Sequence, residues 1–104
     1  MTEFDVQGAW VMLQGKTRVE VNLNAPAQDG FFIGHATHSG HVQGSGLGSL
    51  RFDQFFLRIR WSDGTEGAYH GVFNGRNELF GSTFDVQNPT SIAAWTSDRP
   101  FVRR

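Results

Sequence analysis

Apolar and polar residues alternate with a period of two along most of this chain, the signature of half-buried β-strands. The clearest case is the stretch from Phe55 to Asp85. Phe55, Leu57, Ile59 and Trp61 share one parity there, with Phe56, Arg58 and Arg60 on the other. An Asp63-Gly64 turn follows. Asp-Gly between alternating runs signals a hairpin. A two-residue loop would set Leu57, Ile59 and Trp61 beside Glu66, Ala68 and His70. A three-residue loop with Gly64 left-handed instead sets them beside Tyr69, Gly71 and Phe73, and Arg60 opposite Glu66. A one-residue slip reverses every side chain, so the sorting of apolar from charged residues selects the three-residue loop. Asn74-Gly75 marks a second turn. The strand from Asn77 to Asp85 that follows can turn in either Leu79, Gly81 and Thr83 or Phe80, Ser82 and Phe84. The first is favoured because it sets Leu79 and Gly81 beside Phe73 and Gly71.

The same reading extends along the chain. Strands are expected over Gly8 to Gln14 and Thr17 to Asn24, joined through Gly15-Lys16 as a type II′ turn, which wants glycine first. That pairs Met12 with Val19 and Trp10 with Val21, and turns Trp10, Met12, Val19, Val21 and Leu23 inward. Asn24 to Gly30 reads as a loop, Phe31 to His38 as a strand, and Ser39-Gly40 as a turn. Gly44, Gly46 and Gly48 then share a parity with Val42 and Leu50. This is either a curved strand whose glycines admit bulky neighbours or a flexible Gly/Ser loop; the strand is preferred. Val86 to Thr90 reads as a loop, and Ser91 to Thr96 as the last strand.

Eight strands in succession with short connections predict an all-β fold, an eight-stranded antiparallel up-and-down β-barrel. A meander β-sandwich is the alternative. Closure is preferred because it removes both sheet edges. A chain of 104 residues is expected to form one domain over residues 1–104.

Composition narrows the functional classes. The chain has no cysteine, so disulfide and thiolate chemistry are excluded. A net charge of -1 gives no bulk attraction to nucleic acid or to a membrane surface. No apolar run has the length of a membrane span, and MTEFDVQGAW carries no leader pattern, so a cytoplasmic location is expected. No cofactor motif is present: the glycine-rich stretch lacks the pattern and the following helix of a phosphate loop.

Gly8-Ala9-Trp10 resembles the Gly-X-Trp that opens lipocalins and avidins, and Tyr69-X-Gly71-X-Phe73 is similar to the aromatic-X-Gly-X-aromatic strand of avidin-type barrels. Trp95 stands late in the chain, as a tryptophan does in avidins. The resemblance implies a calycin-type barrel, often oligomeric, with a ligand in its open end. It does not imply biotin: Val11, Met12 and Leu13 follow Trp10 where avidins place polar residues, and Ala36 and His38 stand near their strand-three tyrosine and serine.

Site residues follow from pattern and resemblance together. Trp61, Tyr69, Thr83, Trp95 and Asp98 are the candidate ligand contacts. They would supply aromatic walls beside a few polar groups, which suits a sugar or another small molecule. His35, His38 and His41 have a regular spacing, but residues three apart on a strand face opposite ways, so no metal site is expected. No nucleophile motif occurs. The leading function is therefore a non-enzymatic binding module. A filled barrel that acts through its surface is the second reading, and a small enzyme using Asp98 or a histidine as acid/base is the third. Val11, Leu13, Phe31, Ile33, Phe56 and Val72 fall on the parity that should face water. This predicts a homo-oligomer, dimer or tetramer, built through barrel walls.

Overall fold

The computed structural model describes residues 4–24 and 30–103. Eight antiparallel strands, each hydrogen-bonded to its sequence neighbours, form a closed barrel: β2 (Gly8–Gln14), β3 (Thr17–Leu23), β4 (Phe31–His38), β5 (Val42–Arg51), β6 (Gln54–Trp61), β7 (Glu66–Phe73), β8 (Glu78–Asp85) and β9 (Asn88–Pro100). Two short strands absent from the sequence reading, β1 (Phe4–Asp5) and β10 (Val102–Arg103), pair with each other outside the barrel sheet. The closed barrel decides against the sandwich.

The expected registers hold at the turns that set them. Trp61 donates its backbone N–H to Thr65 O at 2.8 Å, Gly64 has φ 91°, and Arg60 lies opposite Glu66. Met12 pairs with Val19 and Trp10 with Val21 across a turn in which Gly15 has φ 58°. On β8 the favoured parity is the inward one: Leu79 and Thr83 are buried, while Phe80 and Phe84 face out. The Asn74-Gly75 turn proves to be of the same three-residue kind as the first. Asn74 N–H donates to Glu78 O, and Asn77 takes the left-handed conformation at φ 64°. The Asn74 side chain accepts from the backbone of Arg76 and Glu78, which fastens that loop.

The glycine-rich stretch is strand β5, not a loop. A Cβ at Gly48 would lie 2.5 Å from the Phe32 ring, and one at Gly44 would lie 2.8 Å from both Ile59 and Trp61. The missing side chains are what let three large neighbours fill a narrow barrel.

Two expectations are corrected. The last strand is longer than Ser91 to Thr96: it begins at Asn88, opposite Asp85, after a turn of Val86 and Gln87 alone. The ladder is irregular there, since Phe84 already pairs with Ile92. Pro89, Thr90 and Ser91 occupy the bulge between, where the missing N–H of proline costs no ladder bond. β9 also continues through Asp98 to Pro100, because it must pair with β8 on one side and with β2 on the other. Strand β3 ends at Leu23, and of the loop expected from Asn24 to Gly30, positions 25–29 lie outside the described residues.

Side chains fill the barrel interior. Trp10, Phe55 and Trp95 form its middle layer, with Trp10 and Phe55 edge to face at 5.8 Å. One end is plugged. Phe4 stacks on Phe73 at 3.7 Å, Phe101 meets Trp10 edge-on at 4.9 Å, and Trp10 Nε1 donates to Val6 O. The opposite end carries the turns after β2, β4, β6 and β8 and holds the recess described next.

Candidate functional site

Three of the five candidate residues meet at that open end. Trp61 closes β6, Tyr69 and Gly67 lie on β7, and Thr83 lies on β8, all on the inward parity. Register explains the convergence: Leu57 pairs with Tyr69, Tyr69 with Thr83, and Ile59 with Gly67. Together with Gln14, Thr65 and Ser91 these residues line a recess of about 190 Å³. Glu66 and Asp85 stand at its edge.

Two polar groups define the recess. Tyr69 is 5% exposed, and its hydroxyl donates to Gln14 Oε1 at 3.2 Å. Burial raises the Tyr69 pKa above its ordinary 10.0, against the smaller opposing effect of a hydrogen bond with Thr83. The second group is the Trp61 indole. It is 7% exposed, and the His38 ring lies nearly perpendicular to it at 4.6 Å. Trp61 Nε1 donates to no other described residue, yet it is not sealed from solvent. Gly67 is the reason. A Cβ there would sit 3.4 Å from Tyr69 Cε1 and 3.6 Å from Trp61 Nε1, so the absent side chain leaves a gap between indole and phenol.

The charges at this end are largely taken up. Glu66 receives Arg58 and Arg60 on the outside of the wall, and the hydrogen bond from Arg58 holds its carboxyl below the usual carboxylate range. Asp63 is likewise lowered, by accepting from the Thr65 hydroxyl and backbone. Asp85 accepts from Gln87 N.

The other two candidates lie elsewhere. Trp95 is 1% exposed in the barrel's middle, one layer below Tyr69, with ring centroids 6.0 Å apart. Its N–H is already engaged by the carbonyls of His70 and Ser82. Asp98 has the opposite parity on β9 and faces out, where its Oδ1 accepts from Val11 N at 3.0 Å. It lines a shallow outer groove with Glu20 and His35.

Gln14 and Gly67 belong to no motif, yet parity alone places both on the inner wall. Gln14 shares the parity of Trp10 and Met12, and Gly67 that of Tyr69. The three evenly spaced histidines diverge as strand geometry requires. His35 faces out, His38 meets Trp61, and His41 turns its Nδ1 to Ser39 O. No group of three metal-ligating side chains occurs among the described residues.

Comparison with protein-family models and with curated protein sequences finds no match.

Proposed function

We propose that this barrel is a non-enzymatic binding module that takes a small uncharged molecule, rich in hydrogen-bonding groups, into the recess at its open end. The observation that carries the reading is the unpartnered Trp61 Nε1–H facing the gap above Gly67. A nearly buried donor that meets only water in the free protein gains a fixed acceptor from a ligand. The Tyr69 hydroxyl already donates its hydrogen bond to Gln14, so toward a ligand its oxygen acts as an acceptor. Gln14, Thr65 and Thr83 add donors and acceptors of both kinds.

Size and charge narrow the class. About 190 Å³ is below the roughly 300–1,000 Å³ of drug-sized sites, so the ligand is of monosaccharide or fragment size. Among the described residues no cationic side chain lines the recess, which disfavours an anion. Trp61 offers little open face, so its hydrogen bond, not ring stacking, orients the ligand.

Thermal-shift and NMR titration against monosaccharides, small amides and cyclic ureas test this. Gly67→Ala is the sharpest variant, because its Cβ makes only ordinary contacts in the fold while filling the gap. A binder is expected to lose at least tenfold in affinity with Gly67→Ala, and about tenfold with Trp61→Phe, the worth of one hydrogen bond of about 1.4 kcal/mol. A ligand that binds both variants as tightly as the wild type would place the site elsewhere. A library without a single binder would remove the proposal.

A further inference from the structure

The outer wall carries a pattern that a barrel bathed in water does not need. On β3 the outward residues are Arg18, Glu20 and Asn22, an ordinary wet face. On the next three strands four large apolar side chains stand among the polar ones on the outside. The register lays out two neighbouring rows across β4, β5 and β6. One runs Phe31, Ser49, Phe56 and the other Ile33, Leu47, Arg58. Phe31 and Ile33 are each 51% exposed, Leu47 68% and Phe56 47%. Arg58 is the one charge in these rows; it shares Glu66 of the same chain with Arg60, which stands in the next row. Of the residues expected to form such a wall, Phe31, Ile33 and Phe56 do so. Val11 is instead buried at the β2–β9 seam, and Leu13 and Val72 are half-buried.

We infer that the face formed by β4, β5 and β6 is the contact surface for a second copy of this chain, related by a two-fold axis. Area is the first argument. Phe31, Ile33, Leu47 and Phe56 expose on the order of 400 Å² of mostly apolar surface, and interfaces are about 56–58% non-polar, so this is the apolar content of one standard partner face of about 800 Å². Charge is the second argument. In a two-fold contact each patch meets itself, so a patch with net charge repels its own copy. The row of Phe31, Ser49 and Phe56 carries no charge, and Glu66 offsets one of the two arginines beside the other row, so that penalty is confined to the single cation left at the patch's edge. Shape is the third. A groove of about 350 Å³ runs beside Ile33 and Leu47, over Gly46, with Arg58, Arg60 and Glu66 along its far side, and can receive the projecting side chains of the other copy.

Light scattering on the eluting protein at tens of micromolar tests the inference. The wild type is expected at twice the chain mass, and Leu47→Lys at the chain mass with its tryptophan near-UV spectrum unchanged. Ile33→Lys serves as the second variant should Leu47→Lys fail to fold. Ile92→Lys is the control: β9 lies three strand steps from both β4 and β6 around the eight-stranded barrel, and its Ile92 is 67% exposed. That variant is expected to keep the doubled mass. A wild type at the chain mass would overturn the inference and leave the wall to an unlike partner. A folded Leu47→Lys variant at the doubled mass, or dissociation by Ile92→Lys alone, would overturn the choice of face.

Discussion

Tyr69 and Gln14 are joined across the mouth of the barrel: the phenol of β7 donates to the amide oxygen of β2 at 3.2 Å. The chain places them far apart, and the closed barrel brings them together. Tyr69 is also the only tyrosine in the protein, so its ionisation can be followed without interference. Its pKa is raised in the folded state by burial. The unfolded chain therefore releases this proton at a lower pH than the folded one. The stability it contributes is present below pH 10 and is lost as pH rises through the folded pKa. Absorbance at alkaline pH is expected to show the tyrosinate rise displaced above pH 10 in the folded protein. A simple titration centred at 10.0 with the fold intact would contradict the buried hydroxyl.

Asp98 closes the barrel. Strands β2 and β9 share only the pairs Met12–Ser97 and Leu13–Thr96, and the Asp98 carboxylate extends the seam by accepting from Val11 N. Asp98→Ala removes that acceptor and is expected to cost roughly 1–3 kcal/mol in urea unfolding, whereas Asp98→Asn keeps an oxygen in place and costs less. Neither variant should change ligand affinity at the recess. A large loss of affinity at unchanged stability would return Asp98 to the binding site.

Gly71 makes room for Trp95. A Cβ at Gly71 would lie 2.7 Å from Trp95 Cζ2, and the indole N–H beside it bonds the carbonyls of His70 and Ser82. Gly71→Ala is therefore expected to destabilise by about 1–3 kcal/mol through overpacking. It should also shift the tryptophan near-UV signal. Stability equal to the wild type would mean that the indole has slack which these contacts do not suggest.

Phe52 is strained in the opposite sense. The β5–β6 hairpin turns on Phe52 and Asp53, with φ of 53° and 61°, and the Phe52 ring is 81% exposed. Both central residues of such a turn need positive φ, which asparagine tolerates and phenylalanine resists. Phe52→Asn is expected to raise stability by about 1 kcal/mol, read as a higher urea midpoint at constant slope. A drop would show that the ring makes contacts worth more than the strain.

The local pattern determined the strands, their parity and the registers at Gly15 and Gly64. Those properties depend on alternation and on which residues accept positive φ, and both are written in neighbouring residues. The recess was half legible for the same reason, since parity alone turned Trp61, Tyr69 and Thr83 inward. Only closure of the barrel could decide the rest. It brought Gln14 to Tyr69, made the absent side chain of Gly67 a gap, and buried Trp95 beneath its layer. It also sent Asp98 outward to the seam, because β9 must serve two neighbours and so runs past the end that its own pattern suggests. Parity follows from a strand taken singly. What a side chain finally meets depends on strands distant in the chain, and on how little volume an eight-stranded barrel leaves inside.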